Sequence, residues 1–156
     1  VADEIRELVK ACTDEGLLLI VEILVYRLEG ESEEAYAAAF PGLVADSARL
    51  SVECGAKVLK LQYPGSAEAS AAVTEASAGV PWAVLSAGVD HETFIKQVEI
   101  AVGNGAGGAM AGRSLWKDSM AVSAETREHL LTTRALPRLQ ELEAVVDGTL
   151  VASNAG

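Results

Sequence analysis

The chain has 156 residues, 50% of them hydrophobic, which fits one domain with a sizeable core. It has 12 Lys and Arg residues and 23 Asp and Glu residues, so the net charge is −11. This charge argues against nucleic acid as a partner, because the nucleic-acid backbone needs a basic face. The longest apolar run, 16–26, is interrupted by Glu22 and is too short to span a membrane. Cys12 and Cys54 have no metal-binding or redox spacing, which is typical of free thiols in a cytoplasmic protein.

Hydrophobic spacing predicts a first helix and then four units in which a helix follows a strand. This order is typical of an α/β fold with a parallel sheet, and strands that are apolar at almost every position are buried on both faces. We expect one domain at 1–147 and a flexible C-terminal tail at 148–156. The predicted helices are 3–15, 33–54 (interrupted at Pro41-Gly42), 66–78, 91–102 and 124–146 (kinked at Pro137), and the predicted strands are 17–26, 57–63, 82–87 and 107–112.

Charged residues inside two of these strands help to choose between an open doubly wound sheet and a (β/α)8 barrel. Glu22 cannot comfortably face a helix layer, so strand alternation places it inward with Leu24. The same alternation points Lys60 inward with Gln62. An open sheet has no interior that both strands share, whereas a barrel does, and barrel chemistry lies at the carboxyl ends of the strands.

Lys60 is the candidate nucleophile of this interior. Desolvation disfavours the charged form of a lysine, and the neutral amine attacks a carbonyl to form a Schiff base. The resulting iminium withdraws electrons and allows a neighbouring C–C bond to break or form. The alternative is a purely structural ion pair between Lys60 and Glu22, and the spacing alone does not decide between the two.

The exits of the last two predicted strands carry candidate phosphate ligands. The segment 85–88, "LSAG", places Ser86 and Gly88 at one exit, and 110–114, "MAGRS", places Gly112 and Arg113 at the next. Glycines let the backbone approach an anion closely, and arginine adds a bidentate donor. Barrel enzymes commonly hold phosphate in the loops after their last two strands. The alternative is a pair of ordinary strand-exit turns.

Four ordered segments together resemble the class I aldolases of the tagatose-1,6-bisphosphate and sulfofructose-phosphate aldolase type. They are "LLLIVEILVY", "VLKLQYP", "PWAVLSAGVDHETF" and "GAMAGRSLWKD", which resemble strands five to eight of that (β/α)8 family between residues 16 and 146. The resemblance makes Lys60 the Schiff-base lysine and Glu22 the acid that transfers protons around it. It makes Ser86 and Gly88, with Gly112 and Arg113, ligands of a phosphate or sulfonate.

The resemblance implies a lyase that cleaves a phosphorylated ketose reversibly and releases a product like dihydroxyacetone phosphate, with no metal and no organic cofactor. A non-catalytic half-barrel that binds an anionic metabolite or a partner half is the alternative. A barrel lyase or isomerase that uses Lys60 as a base is a third reading, and it predicts phosphate binding without a trapped adduct.

The departure from the family is length, because a complete barrel needs about 250 residues and eight units. This chain supplies four units, corresponding to the C-terminal half-barrel, so we expect either a fragment or a half-barrel that pairs with a second copy. A bare four-stranded parallel sheet leaves two apolar edges open. The chain is therefore expected to be a homo-oligomer or to associate with an N-terminal half, and a light-scattering mass of one compact chain would contradict this.

Overall fold

The protein was analysed as a computed structural model, which describes residues 1–154. Its centre is one four-stranded parallel sheet in the order β1-β2-β3-β4, so sequential strands are neighbours. This agrees with the α/β class predicted from the alternation of strands and helices. The strands are β1 (Ile20–Val21), β2 (Val58–Gln62), β3 (Trp82–Leu85) and β4 (Gly108–Met110).

Seven α-helices surround or follow this sheet in the described part of the chain. Among residues 1–154, none of them is both long and apolar enough to cross a membrane. The helices are α1 (Ala2–Asp14), α2 (Glu33–Glu53), α3 (Ala67–Ala76), α4 (His91–Gly103), α5 (Arg113–Trp116), α6 (Ala124–Leu130) and α7 (Leu136–Asn154), with a 3-10 turn at Lys117–Ser119 and a π-helical turn at Leu131–Ala135.

One face of the sheet packs on the helices and forms the core. Leu59, Leu61 and Val84 are fully buried, together with Phe94 and Val98 of α4. Each such side chain contributes about 1.5–3 kcal/mol when it is removed from water. The core therefore lies between the sheet and the helices, and it holds the strands in register.

The opposite face is open at the β1 side of the sheet. Along this strand and its continuation, Ile20, Glu22 and Leu24 are exposed, whereas Val21 is buried and Ile23 is half-buried. This is the alternation that the sequence predicts for a strand with one face toward a shared interior. The predicted strand 17–26 is nevertheless too long, because only Ile20–Val21 pair with β2. An edge strand has one neighbour only, so its ladder is free to end early.

The two prolines within predicted helices differ in their effect. Pro41 lies inside an unbroken α2, so the expected interruption at Pro41-Gly42 is wrong. The proline removes one hydrogen bond, and the buried Val44 and Ala45 of the next turn hold the helix on the core through it. Near Pro137 the break is real, but it takes the form of the π-helical turn, in which the Leu136 N–H bonds the Leu131 carbonyl just before the proline.

The C-terminal segment is helical as far as it is described. Residues 148–154 form the end of α7, and 155–156 lie outside the described residues. The boundary predicted at 147 therefore falls within a helix. The flexibility of 148–156 stays a prediction.

Gly105 closes the connection between α4 and β4 and is expected to tolerate no side chain. Its φ is +101°, and an added Cβ would lie 2.5 Å from Thr74 Cγ2. Thr74 cannot turn away freely, because its hydroxyl donates to the Asn104 carbonyl (2.7 Å) and accepts from Trp82 Nε1 (3.0 Å). We expect Gly105→Ala to lower the free energy of unfolding by about 2–4 kcal/mol. Gly42→Ala, inside α2 with open space around it, is the control and should stabilise by about 0.5–1 kcal/mol in urea unfolding.

Candidate active site

Glu22 and Lys60 meet on the open face of the sheet. The β1–β2 register pairs Ile20 with Val58, which brings the residues two further along each strand side by side. Lys60 Nζ donates to Glu22 Oε2 at 2.6 Å. The two side chains are 30% and 33% exposed, so this chain by itself does not desolvate the lysine as the sequence analysis expects for a barrel interior. The pair places an amine and a carboxylate where both can reach one bound molecule.

An open cleft of about 530 Å³ lies above this pair, at the carboxyl ends of the strands. All six candidate residues of the sequence analysis line it, and the side chains or backbone of eight others complete the wall. The ones that sequence reasoning did not single out for a role include Gln62, Tyr26 and Trp116. Strand alternation already places Gln62 inward, and Tyr26 is the last residue of the predicted strand 17–26. Trp116 ends α5, and no sequence signal indicated its place in the cleft. The cleft is formed by Glu22, Leu24, Tyr26, Lys60, Gln62, Leu85, Ser86, Ala87, Gly88, Met110, Ala111, Gly112, Arg113 and Trp116.

The first candidate phosphate loop is a tight turn after β3. The Val89 N–H donates to the Ser86 carbonyl at 3.1 Å, and Ala87 and Gly88 both have positive φ, +48° and +79°. A non-glycine residue at positive φ is uncommon and is often found at functional sites. No protein acceptor is bound by the backbone N–H groups of Ala87 and Gly88 within the described chain. They are therefore available to an anion in the cleft.

The second loop leads from β4 into α5. Gly112 occupies the N-cap position, where its carbonyl accepts from the Leu115 N–H at 3.0 Å. The Arg113 side chain is exposed and forms no ion pair among residues 1–154. An arginine without a carboxylate partner at the edge of a cleft is free to bind a phosphate or sulfonate.

Lys117 ties the two loops together and was not identified from the sequence. Its Nζ donates to the Gly88 carbonyl at 3.0 Å, although 29 residues separate them in the chain. This contact holds the turn after β3 against the segment that follows β4. It also adds a second cation close to the candidate anion site.

Asp118 anchors the same segment to the C-terminal helices. Its carboxylate accepts two hydrogen bonds from Arg138, at 2.7 and 3.0 Å, and a longer one from Arg134 at 3.4 Å. Arg138 also donates to the Leu115 carbonyl at 3.1 Å. The hydrogen bond from Arg138 is the main reason that the pKa of Asp118 lies below its ordinary value of 3.8, and the charges of both arginines act in the same direction.

The lowered pKa of Asp118 gives a pH dependence with a defined sign. Because folding lowers this pKa, the carboxylate stabilises the protein fully above pH 3.8 and loses its effect as the pH falls through the lowered value. We expect the difference in unfolding free energy between wild type and Asp118→Asn to shrink over that range. Urea titrations at stepwise lower pH measure it, with Asp46→Asn on the exposed side of α2 as control. A difference that stays constant with pH would contradict the assignment.

His91 is a second residue whose environment the sequence did not indicate. Its position on a polar helix suggests a surface histidine, but its side chain is only 11% exposed. The Nε2 atom lies 2.8 Å from Glu141 Oε2 of α7, which packs along α4. The cause is long-range packing, which the local pattern does not contain. His129 also lies at a polar helix position, and there the pattern indicates its environment correctly, because its side chain is exposed.

No group of three or more His, Cys, Asp or Glu residues among residues 1–154 is arranged to hold a metal ion. The G-x-G-x-x-G spacing at 103–108 does not form a nucleotide loop, because Gly103 ends α4 and Gly108 begins β4. The cleft brings together the amine of Lys60, the carboxylate of Glu22 and the two loops.

Comparison with known sequences gives a consistent set of relatives. The sequence profile of the DeoC/LacD family aldolases matches residues 1–118. The class 1 fructose-bisphosphate aldolase of Thermoproteus tenax is 32% identical over 102 residues, which is 64% of this chain and 35% of that protein. The 2-amino-3,7-dideoxy-D-threo-hept-6-ulosonate synthase 1 of Archaeoglobus fulgidus is 36% identical over 90 residues, 56% of this chain and 33% of that protein. The chain spans about a third of the length of these curated relatives.

Comparison with solved structures agrees. An archaeal fructose 1,6-bisphosphate aldolase superposes with a TM-score of 0.69 at 25% identity, and the match covers 94% of this chain and 52% of that one. A second archaeal fructose-1,6-bisphosphate aldolase, with its catalytic lysine covalently bound to a carbinolamine intermediate, gives a TM-score of 0.68 at 23% identity and covers 93% and 51%. The fold is thus the α/β fold with a parallel sheet found in the TIM-barrel aldolases. With the profile matching the greater part of its sequence, the chain belongs to the DeoC/LacD family of aldolases.

Proposed function

We propose that this chain is the C-terminal half of a (β/α)8 barrel and contributes the Schiff-base lysine of a class I aldolase that cleaves a phosphorylated ketose. The observation that carries the proposal is the pairing of Lys60 Nζ with Glu22 Oε2 at 2.6 Å in the cleft that also contains the turn of Ala87 and Gly88 and the side chain of Arg113. A reactive amine, a carboxylate and an anion site are the parts that such an aldolase needs. The family match supports the reaction class.

In the proposed mechanism, the neutral amine of Lys60 attacks the ketose carbonyl carbon and forms a carbinolamine. Loss of water gives an iminium ion. A base takes the proton of the hydroxyl group on the β carbon, and the bond between the α and β carbons breaks. The β carbon leaves as an aldehyde, and the electron pair of the broken bond moves through the α carbon toward the iminium nitrogen to give an enamine. Protonation of the enamine and hydrolysis release the dihydroxyacetone-phosphate-like product and restore the amine.

Glu22 is the proposed proton carrier near the nitrogen. At 2.6 Å it can accept a proton from the amine and return one to the carbinolamine oxygen as water leaves. The ion pair itself is also compatible with an orienting role. In the proton-transfer role and in the orienting role alike, the Glu22 carboxylate acts on Lys60 Nζ.

The proposed phosphate site combines the two loops of the cleft. Ser86 and Gly88 contribute from the turn after β3, and Gly112 and Arg113 contribute from the start of α5. Backbone N–H groups and one guanidinium supply hydrogen-bond donors without a metal ion. The far end of the sugar carries a phosphate or a sulfonate group. Residues that bind this group would come mostly from the other half of the barrel.

Two alternatives differ from this proposal in what Lys60 does, and the first is favoured by an observation. The open face and the exposure of Lys60 favour a half-barrel that binds an anionic metabolite or a partner half without turnover. A lyase or isomerase that uses Lys60 as a base would bind phosphate and form no covalent adduct.

The partner of the chain is also proposed. Leu17 and Leu18 are 65% and 67% exposed beside the β1 edge, and such a surface is expected to be covered. The partner that covers this surface is an N-terminal half-barrel or a second copy of the chain. The proposed location of the protein is the cytoplasm. Light scattering tests this, because the chain alone should have a mass above that of one chain, and an added N-terminal half should form a stable complex with it.

A cleavage assay tests the proposed function. The chain, alone and with a complementary half-barrel of strands one to four, is incubated with tagatose 1,6-bisphosphate, fructose 1,6-bisphosphate and sulfofructose 1-phosphate. Release of dihydroxyacetone phosphate from any of them supports the aldolase. The ratio among them decides the tagatose or sulfofructose subtype. Tight phosphate binding with no release from any substrate supports the non-catalytic alternative.

A further inference from the structure

The pairing of β1 with β2 ends just before the carboxylate of the candidate site. The ladder contains Ile20 with Val58 and Val21 with Leu59, and then it stops. On its other side, β2 continues its pairing with β3 up to Gln62. Glu22 is therefore the first residue beyond the backbone ladder. The segment that carries it needs another attachment if the carboxylate is to keep its place.

Side chains provide that attachment at Val25. The Val25 N–H donates to Gln62 Oε1 at 2.8 Å, and the Val25 carbonyl accepts from the Tyr36 hydroxyl at 2.9 Å. Both backbone groups of one residue are thus bound by side chains from β2 and α2. Gln62 takes the place that a backbone carbonyl of a longer ladder would have.

The orientation of the Gln62 amide follows from its partner. A backbone N–H can only donate, so the amide oxygen must face Val25 and the NH2 group must point elsewhere. Gln62 lines the cleft two residues after Lys60, and its Nε2 binds no protein acceptor among residues 1–154. The oxygen of this amide therefore binds Val25, whereas its NH2 group has no protein acceptor among residues 1–154. Substitutions can remove the two groups separately.

The ion pair alone is a weak tether for Glu22. Glu22 and Lys60 are each about a third exposed, and pairs with that much solvent access are stabilised little by their charges. The anchor at Val25, three residues further along, holds the backbone that carries the carboxylate. Without it, the carboxylate has freedom to leave the amine.

We infer that Gln62 is a positioning residue that sets the Glu22 carboxylate against the Lys60 amine by binding the Val25 N–H. The inference rests on the proposed function in so far as the carboxylate then serves proton transfer. Its structural part, the anchoring of the segment after β1, does not depend on catalysis.

The test compares Gln62→Met, which removes the acceptor, with Gln62→Glu, which keeps an acceptor for Val25 and removes the NH2 donor. Gln140→Met, on an exposed position of α7, is the matched control, and Tyr36→Phe removes the other half of the anchor. Amide hydrogen exchange at Val25 and crystal structures of the variants report the anchor directly. Deuterium uptake at the hydroxymethyl carbon of dihydroxyacetone phosphate reports proton transfer. Borohydride trapping on Lys60 reports imine formation.

We expect Gln62→Met to lose protection at Val25, to open the contact between Nζ and Oε2, and to slow deuterium uptake by about tenfold or more, a part of what a positioned acid or base contributes. Imine trapping should become slower but reach the same final yield, because Glu22 also assists the loss of water from the carbinolamine. Gln62→Glu should restore both protection and uptake. Tyr36→Phe should show a smaller loss of the same kind.

The inference would be overturned by unchanged protection and contact in Gln62→Met, or by lost protection with unchanged deuterium uptake. Failure of Gln62→Glu to restore uptake would move the role to the NH2 group and also overturn it. Absence of any adduct in the wild type contradicts the proposed function instead. The exchange data and the distance between Glu22 and Lys60 then still decide the structural part.

Discussion

Lys60→Arg is expected to abolish aldol cleavage. The guanidinium keeps the positive charge and can still pair with Glu22, but it does not lose its proton and cannot attack a carbonyl. Loss of a covalent nucleophile elsewhere costs about 10⁴-fold or more in turnover, and we expect a loss of that order here. Steady-state kinetics measure it, in the preparation, alone or with a complementary half, that shows turnover.

Lys57→Arg is the matched control for this substitution. Lys57 lies three residues earlier, just before β2, and is exposed outside the cleft. Its substitution should leave cleavage within about twofold of wild type, as is usual for surface changes away from a site. Equal losses in both variants would assign the effect to stability, and an active Lys60→Arg enzyme would remove the Schiff base from the mechanism.

Arg113→Gln is expected to weaken binding of inorganic phosphate and of dihydroxyacetone phosphate. A hydrogen bond to a charged group contributes about 1.5–3 kcal/mol, and the exposed position of this side chain places the effect near the lower end. That corresponds to roughly tenfold in Kd. Isothermal titration with each ligand measures the change, and KM should rise by the same factor.

The loop backbone predicts what remains in this variant. The N–H groups of Ala87 and Gly88 are untouched, so binding should fall without disappearing. Arg6→Gln on α1, where the guanidinium pairs with Asp3, is the control and should bind phosphate like wild type. Phosphate affinity that is the same in all three proteins would place the anion elsewhere.

Local patterns carried the prediction of the sheet and of the residues that face the cleft. Alternation along 20–25 separates the exposed Glu22 from the buried Val21, and the same periodicity in β2 turns Lys60 and Leu59 to opposite faces. Glycine and serine at the ends of β3 and β4 indicated the two loops. These properties depend on residues that are close in sequence, so they can be predicted from it.

What the sequence did not indicate depends on contacts between distant segments. The ladder of β1 is short because Val25, in the continuation of the strand, binds the side chain of Gln62 rather than the backbone of β2. Val25 and Gln62 lie 37 residues apart in the sequence. His91 is covered by α7 through Glu141, 50 residues later. Asp118 finds Arg138 only after the π-helical turn redirects the chain. No local pattern contains such pairs.

The most direct test of the account is borohydride reduction of the chain in the presence of dihydroxyacetone phosphate, followed by peptide mass mapping. We expect one reduced adduct, on Lys60, because among the residues that the structure describes this amine alone combines the cleft, a carboxylate at 2.6 Å and the anion loops. The measurement is made on folded chain and repeated with a complementary half-barrel present. An adduct on another lysine, or none in either preparation, would contradict the Schiff-base role of Lys60.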